Sequence, residues 1–485
     1  MNKDDRILST TAILLQSPTN LIMREMEIGQ IHRMISQPPN VVDSMKELVI
    51  GFALLVAGCL FLFQLVDDSV LSGIFGFSST QVTKADRFSV IYINNNCTQH
   101  NVTTNKLPYH DLHMKWMAEG VTKENYAKAN ISLEAAYEYV DQIAIQITSQ
   151  NLFGEKVYCH YFDSDKKKIG EPFESNVFPE SVIYCLRRAG TNYVSLTRKP
   201  NDTPEYPIPL LDRTMEKPEH YFSVCVAPFF GTEPKWLMIA EFVEWYKLQG
   251  ATYFYFYLAE MSLYDRIILD DYVRTGEAEV VIMHDRFDRP GDRWHMLEIH
   301  DCILRSRAHS KWAAFVDIDE RLTMTQYKGT ILDYLKSIAD KSIGSIQYRQ
   351  RWIMKTEDQP EKYINATETV KWMTTQRYTN TSHVGPPGHT AKCIVRPETI
   401  GAMFIHYPRK FYPGFNQYGL APEEGVVRHY RDQRFDNWGK TWLKEVAAFG
   451  PFEDTKLEEN VSKQLVEAVV KRVKYVYGKA QNGYK

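Results

Sequence analysis

Apolar and amphipathic segments alternate between residues 220 and 316, and this alternation restricts the fold more than any other feature of the chain. Strands are predicted at 220–230, 252–258, 279–283 and 312–316, and helices at 235–249, 264–274 and 294–307. The strands are continuous apolar runs, as expected for a sheet buried on both faces, and Gly250 is a stop signal for the first helix. The βαβαβαβ order therefore predicts an α/β fold with a mostly parallel sheet covered by helices.

The region before this pattern consists of short apolar runs separated by turns. Over 88–199 we predict a small β-rich accessory domain with strands at 89–93, 156–162, 181–186 and 193–197 and one helix at 133–147. Five prolines between 200 and 218 remove backbone donors and stiffen the chain, so a linker is predicted there. The α/β domain is expected over 219–478, followed by a short tail over 479–485.

An uncharged run of 19 residues, 48–66, predicts a membrane-spanning helix. At 1.5 Å per residue it would measure about 28 Å, enough to cross a hydrocarbon core. It starts too far from Met1 for a cleaved signal peptide, so a signal anchor is expected between a tail over 1–47 and a stem over 67–87. The charges flanking the run weakly favour a cytosolic N-terminus.

Glycosylation sequons support this orientation. The sequence Asn-x-Ser/Thr occurs seven times, always after the apolar run, at Asn96, Asn101, Asn130, Asn201, Asn365, Asn380 and Asn460. A split of seven to none predicts that the part after the run is lumenal and glycosylated. The expected location is the Golgi membrane, with the chain as a single-pass type II protein.

Six of the seven cysteines follow the apolar run, at Cys97, Cys159, Cys185, Cys225, Cys302 and Cys393. An even number in an oxidising compartment predicts disulfides, with the pairing left open. No two cysteines form a C-x-x-C pair, which argues against a zinc site. Cys225, inside an apolar strand, is a candidate for a buried thiol.

Two acidic residues follow the last predicted strand of the α/β pattern. Ligands of such sheets bind beyond the carboxyl ends of the strands, and Asp317 and Asp319 lie directly there. Two carboxylates on one side of an extended segment are suited to a hard divalent cation that also binds a nucleotide diphosphate. A second D-x-D at 163–165 lies in a Lys-rich loop, where solvation explains it.

Seven blocks between Val224 and Arg431 make the chain recognisable: 225–231 (CVAPFFG), 241–257, 269–280, 301–307, 315–322 (FVDIDERL), 392–398 and 429–431 (HYR). Over these residues, 43% of the chain, the sequence resembles glycosyltransferase family 92. The resemblance implies a GT-A fold with a mostly parallel, Rossmann-like sheet. It also implies inverting transfer of galactose from UDP-galactose in a β1,4 linkage, for example to core fucose of N-glycans.

The resemblance also suggests residues for the donor and its cation. Asp317 and Asp319 match the D-x-D of the family, and Mn²⁺ or Mg²⁺ is the expected cation. Ala227 and Pro228 would line the nucleotide site, although strand packing explains them equally. Asp301 and Lys392 are further donor-binding candidates, against the alternatives of a solvated helix face and a solvated strand edge.

A histidine from a later strand often completes the cation site in such enzymes. His406, at the end of an apolar run, is the first candidate, with His429 and then His389 as alternatives. Inversion also needs a carboxylate that deprotonates the acceptor hydroxyl. Two acidic pairs in loops are candidates for this base, Glu357 with Asp358 and Glu423 with Glu424, and the sequence does not choose between them.

Three functions are compatible with this sequence to different degrees. The first is a Golgi galactosyltransferase, whose partners are a nucleotide sugar, a glycan or glycoprotein acceptor and the bilayer, with a homodimer left open. The second is a catalytically inactive, membrane-anchored lectin or adhesion protein on the same fold. A phosphohydrolase would need a denser cluster of carboxylates and histidines. Nucleic acid is excluded as the main partner because 57 Lys and Arg are balanced by 60 Asp and Glu.

Overall fold

A computed structural model of the chain describes residues 102–121, 130–148, 152–231, 233–285, 291–434 and 438–483. Within these ranges, no helix has both the length and the apolar character needed to cross a membrane. The predicted span, its flanking tail and stem, and the strand expected at 89–93 lie outside the described residues. These therefore stay predictions.

Within the described residues, two sheets of seven and eleven strands and a separate two-stranded hairpin belong to one compact unit. The strands of the seven-stranded sheet are β1 Leu133–Glu138, β2 Ile143–Ile147, β3 Lys156–Phe162, β4 Phe173–Asn176, β5 Val182–Cys185, β6 Tyr193–Thr197 and β7 Ile208–Asp212. Those that follow are β8 His220–Phe229, β9 Tyr253–Leu258, β10 Ala278–Ile282, β11 Ser310–Val316, β12 Glu320–Met324, β13 Ile343–Lys355, β14 Asn380–Thr381, β15 Lys392–Val395, β16 Ile400–Met403, β17 Pro408–Phe411, β18 Asn416–Gly419, β19 Gly425–Asp432 and β20 Glu453–Asp454.

The helices lie mainly between the strands of the larger sheet. They are α1 His110–Ala118, α2 Trp236–Leu248, α3 Leu263–Arg274, α4 Gly291–Ser306, α5 Ile331–Ser337, α6 Ala366–Trp372, α7 Thr374–Arg377, α8 Trp438–Thr441, α9 Leu443–Ala447 and α10 Glu459–Gly483, with a 3₁₀ turn at Pro397–Thr399. The last helix packs against α2 and continues beyond residue 478, so the tail predicted over 479–485 begins inside a helix.

The seven-stranded sheet corrects one prediction and refines another. Residues 133–147, predicted as a helix, form the antiparallel strands β1 and β2, in the sheet order β4-β3-β6-β7-β1-β2-β5. Both faces of these strands pack on hydrophobic cores, so their apolar residues do not alternate with polar ones and the two-residue period is hidden. The predicted linker over 200–218 contains β7, which pairs with β1 and β6.

The larger sheet confirms the predicted βαβαβαβ order. Its strands β10, β9, β8 and β11 are neighbours in that order and all parallel, and β15 and β13 extend the sheet beyond β11. β15 runs antiparallel to both β11 and β13, so β11 and β13 point the same way and end at one edge. Gly250 ends α2 as expected: its φ of 91° is left-handed, and an added Cβ would lie 2.4 Å from Leu332.

Two disulfides settle part of the cysteine pattern. Cys159–Cys185 joins β3 to β5, and Cys225–Cys302 joins β8 to α4. The expectation that Cys225 is a buried thiol is therefore wrong, because α4 brings Cys302 against its strand. The buried free thiol among the described residues is Cys393, in β15.

Candidate active site

The D-x-D at 317–319 lies at the carboxyl edge of the larger sheet, where β11 ends. A tight turn links it to β12: the Glu320 N–H donates to the Asp317 carbonyl oxygen at 3.0 Å, and the Asp317 N–H donates to Glu320 Oε2 at 2.9 Å. The Asp317 and Asp319 side chains keep 31% and 20% exposure, whereas the Glu320 side chain is fully buried. The turn therefore leaves the two aspartates accessible and uses the glutamate as an internal anchor.

Lys392 lies behind this turn and binds two of its carboxylates. Its Nζ is 3.0 Å from Asp317 Oδ2 and 3.3 Å from Glu320 Oε2, and its side chain is 3% exposed. Burial opposes ionisation of Asp317, but the Lys392 ammonium together with His295 and His429 holds the pKa of that carboxyl below its usual range. The sequence suggested that Lys392 binds the diphosphate of the donor. In the structure, its ammonium instead forms ion pairs with Asp317 and Glu320.

A hydrogen-bond chain runs from Glu320 through Gln350 to His429, and the sequence analysis selected neither Glu320 nor Gln350. Gln350 Nε2 donates to Glu320 Oε1 at 2.6 Å, while Gln350 Oε1 lies 2.9 Å from His429 Nδ1. Burial raises the pKa of Glu320 to about 7, and the negative charge of Asp317 adds to this while Lys392 opposes it. In the sequence, Glu320 directly follows the D-x-D. Gln350 is distant in sequence, and the pairing of β13 with β19 brings it to Glu320.

His429 is the histidine that contacts the D-x-D. In the register of β12 with β19 it lies opposite Glu320, and its Nε2 is 3.3 Å from Asp319 Oδ2. Burial would lower the pKa of His429, but the Asp319 carboxylate raises it overall. The same contact lowers the pKa of Asp319, although burial opposes it.

The other two predicted histidines have different partners. His406 Nδ1 lies 3.2 Å from the Ala391 carbonyl oxygen, and burial lowers the pKa of His406 to about 4. His389 Nε2 lies 2.9 Å from Glu445 Oε1. A histidine that no sequence signal selected, His295 in α4, approaches Asp317 instead, with its Nε2 3.9 Å from Oδ1.

The side chains around the D-x-D fit a divalent cation. Asp317 Oδ1 and His429 Nε2 are buried and make no hydrogen bond within the described residues, which leaves a carboxylate oxygen and an imidazole nitrogen for a ligand. Carboxylate and imidazole together suit Mn²⁺. The metal-binding atoms of Asp317, Asp319 and His429 do not all lie within 4.8 Å of one another. Asp319 and His429, whose side chains are 3.3 Å apart, are the pair that would hold a cation, with Asp317 beside them.

The predicted nucleotide residues lie next to the D-x-D. The strand register pairs Val226 with Val316, so Ala227 and Pro228 follow at the level of Asp317. Ala227 is half-buried and Pro228 is buried, and the pairing of β8 with β9 shifts register between Val226 and Phe229. The end of β8 therefore borders the same edge.

Asp301 has a different role from the one predicted. It is 1% exposed and accepts hydrogen bonds from Tyr137 Oη at 2.5 Å, Tyr257 Oη at 2.7 Å and Arg305 Nε at 2.9 Å. All three donors belong to the protein and the carboxylate is buried, so Asp301 is not accessible to a sugar nucleotide. Since Tyr137 belongs to the seven-stranded sheet, Asp301 joins the two sheets.

The two candidate pairs for the base lie at different ends of the strands. Met324 of β12 pairs with Gly425, so Glu424 and Glu423 lie five and six residues before His429, about 17–20 Å along the strands from the Glu320–His429 pair. Glu357 and Asp358 follow the end of β13, on the same side as Asp317, where they are ion-paired with Arg377 and Arg434. The two pairs therefore lie in opposite directions along the strands from the Glu320–His429 pair.

The described glycosylation candidates are all on the surface. Asn130, Asn201, Asn365, Asn380 and Asn460 are exposed, and Asn96 and Asn101 lie outside the described residues. The Asn365 side chain also accepts a hydrogen bond from the Glu368 N–H at the start of α6. Glycosylation itself stays a prediction.

Comparison with known proteins gives a family match and one curated relative. The sequence pattern described as "Glycosyltransferase family 92" matches residues 220–465. The Caenorhabditis elegans protein named beta-1,4-galactosyltransferase galt-1 is 25% identical over 330 residues, which cover 64% of this chain and 73% of that protein.

Solved structures of low similarity also match. HddC from Yersinia pseudotuberculosis shares 12% identity at a TM-score of 0.23, covering 46% of this chain and 99% of HddC. The mannosyltransferase PcManGT from Pyrobaculum calidifontis, solved in complex with GDP-Man and Mn²⁺, shares 10% identity at a TM-score of 0.27, covering 56% of this chain and 78% of its own.

Proposed function

We propose, from the premise that the chain belongs to glycosyltransferase family 92 and is a glycosyltransferase, that it transfers galactose from UDP-galactose with inversion. The observation that carries this proposal is the D-x-D with His429 at the carboxyl edge of the sheet, in a GT-A arrangement. The name of the C. elegans relative supports galactose as the sugar and β1,4 as the linkage.

Asp319 and His429, with Asp317 beside them, are the residues that would hold the cation. A divalent ion there would neutralise the charge that grows on the leaving diphosphate, which is worth several kcal/mol. Side chains of the protein itself hold these residues in position. Lys392 and Glu320 hold the Asp317 side of the turn through the two ion pairs and the Asp317 N–H. Gln350 fixes the ring of His429 through Nδ1, so Nε2 faces Asp319.

We assign the acceptor-binding part of the active site to the loop after β13. Inversion in one displacement requires a carboxylate that takes the proton from the attacking hydroxyl. Glu357 and Asp358 lie at the correct edge, and their loop is fixed to the entrance of α2 because Gln359 Nε2 donates to the Pro234 carbonyl oxygen at 2.6 Å. We assign the base to this pair, in preference to Glu423 and Glu424.

The acceptor we propose is a glycan such as one carrying core fucose on an N-glycan. The seven sequons after the apolar run 48–66 support a lumenal location of the transferase in the Golgi, with the run as its anchor. The five described sequon asparagines are accessible to an oligosaccharyltransferase, in keeping with this topology.

The test is a donor and acceptor screen with the purified full chain and Mn²⁺. UDP-galactose, UDP-glucose, UDP-GalNAc and GDP-mannose would be offered with N-glycans that carry or lack core fucose. We expect a mass increase of one hexose with UDP-galactose alone, and an inverted anomeric centre by NMR. Glycan binding without transfer from any donor would refute the proposal and favour the inactive lectin, and phosphate release would favour a hydrolase.

A further inference from the structure

Two histidines and a glutamate meet at the amino edge of the larger sheet, opposite to the D-x-D. His220 is the first residue of β8, and His309 directly precedes β11. These strands are neighbours, and the His220 N–H donates to the His309 carbonyl oxygen at 3.0 Å. The seven residues of β11 lie between His309 and Asp317, which places the cluster about 26 Å along the strand from Asp317. The cluster is therefore independent of the proposed transfer site.

The side chains of the cluster converge on one point. One ligand atom from each of Glu219, His220 and His309 lies within 4.8 Å of the others. Glu219 Oε2 is 3.6 Å from His309 Nε2, and Glu219 Oε1 is 4.0 Å from His220 Nε2. Ligands of a tetrahedral Zn²⁺ with bonds of about 2.0–2.1 Å lie about 3.3 Å apart, so side-chain shifts below about 1 Å would close the site.

Both imidazoles are oriented as metal ligands are. His309 Nδ1 lies 2.7 Å from Tyr255 Oη, and His220 Nδ1 lies 2.9 Å from Thr252 Oγ1. Either hydroxyl can accept a hydrogen bond from the Nδ1–H, and in that tautomer Nε2 carries a free lone pair; a hydrogen bond at Nδ1 is the usual second hydrogen bond of a metal-bound histidine. Both Nε2 atoms are thus directed at the carboxylate.

The two histidines of the cluster are largely buried, and the glutamate is exposed to solvent. The His220 and His309 side chains are 13% and 9% exposed, whereas Glu219 is 63% exposed, so a hydrated ion has access. Ala308 adopts a left-handed φ of 62° in the turn that presents His309, a conformation that is unfavourable for a residue with a Cβ. The Arg213 guanidinium, whose field reaches His309, lies 3.9 Å from Glu279, which offsets its charge.

We propose that Glu219, His220 and His309 bind a Zn²⁺ ion, with water as the fourth ligand. Neutral imidazoles and one carboxylate are a common donor set for this metal, and no cysteine is needed. The ion would fasten the start of β8 to the turn before β11. It would thereby stabilise the parallel sheet at the edge opposite to the sugar-nucleotide site.

The test is metal titration of the metal-free full chain carrying Asp319→Asn, which weakens the other cation site. Calorimetry should detect one Zn²⁺ per chain, and Co²⁺ should give the visible absorption bands of a tetrahedral site. Saturating Zn²⁺ should raise the melting temperature by a few degrees because it binds the folded state. Glu219→Gln should weaken Zn²⁺ binding at least tenfold, while Glu216→Gln, an exposed glutamate three residues earlier, should leave it unchanged.

Tyr255→Phe separates a metal site from a hydrogen-bonded cluster. Loss of the second hydrogen bond of a ligating histidine lowers metal affinity by about 10–100-fold, and we expect this effect here. If a variant is poorly folded, the intact Asp319→Asn chain decides by itself, since Zn²⁺ must bind it and shift its melting temperature. No Zn²⁺ binding, or binding that Glu219→Gln and Tyr255→Phe both leave unchanged, would overturn the proposal.

Discussion

The chain contains two D-x-D motifs, which share a sequence pattern but differ in their solvent exposure and in the residues that contact them. The motif at 163–165 forms a turn after β3, where Asp163 Oδ1 accepts hydrogen bonds from the N–H groups of Asp165 at 2.9 Å and Lys167 at 2.8 Å. The Asp165 side chain is 71% exposed. The motif at 317–319 is surrounded by side chains from other strands, and Asp317 retains a buried oxygen without a hydrogen bond.

The comparison shows that the partners of a motif decide what it does. The first motif satisfies itself within five residues, so its carboxylates stabilise their own turn. The second motif receives Lys392 from β15 and His429 from β19, more than 70 residues away in sequence. Long-range strand pairing thus builds an ionised, partly unpartnered carboxylate pair at one D-x-D and none at the other.

The largest expected effect separates the two motifs directly. Asp319→Asn keeps the side-chain shape but removes a charge, so the transfer rate should fall about 100-fold or more with folding retained. The matched variant Asp165→Asn should transfer sugar at the wild-type rate, because its carboxylate is solvated. Steady-state kinetics with UDP-galactose measures both, and circular dichroism controls for folding.

An equal loss in both variants, or none in Asp319→Asn, would contradict the assignment of the cation to the second motif.

Removal of divalent metal should affect activity almost as strongly. If Asp319 and His429 hold the cation, dialysis against a chelator should reduce transfer to a few per cent, and Mn²⁺ should restore it. Restoring the activity of the dialysed Asp319→Asn variant should require a higher Mn²⁺ concentration than the wild-type enzyme does. Full activity of the chelated wild-type enzyme would show that the second motif works without a metal.

A smaller effect is expected at the histidines. His429→Ala removes the imidazole beside Asp319, so we expect a loss of activity of about 10–100-fold and a higher requirement for Mn²⁺. His406→Ala should change neither by more than a few fold, because the contact of His406 is with the Ala391 carbonyl. Mn²⁺ titration of activity in both variants measures the difference, and the reverse order would restore His406 as the ligand.

The smallest effect concerns the stability of the first motif. Asp163→Ala removes the acceptor of two backbone N–H groups in the turn, which should lower the free energy of unfolding by about 1 kcal/mol. Transfer activity should be unchanged. Denaturant unfolding monitored by tryptophan fluorescence tests the first part, and a parallel loss of sugar transfer would argue that the two motifs are coupled.

Much of the larger sheet could be predicted because its signals are local. Strands buried on both faces are apolar runs, and helices between them have their own period and end at residues such as Gly250. The same rule failed over 133–147, since strands with two buried faces also lack alternation and resemble a helix in composition. Asp301 was misassigned because its partners Tyr137 and Tyr257 come from two different sheets.

The sequence by itself determined the order of strands and helices from β8 to β11, the place of Asp317 and Asp319 at a strand end, and the family to which they belong. Only the tertiary structure decided which cations and acids meet them. Lys392, Gln350 and His429 reach the D-x-D through antiparallel and parallel pairings of β15, β13 and β19, and the register of these pairings depends on packing across the whole sheet. A local pattern specifies where a strand ends, whereas the free energy of the complete core selects its neighbours.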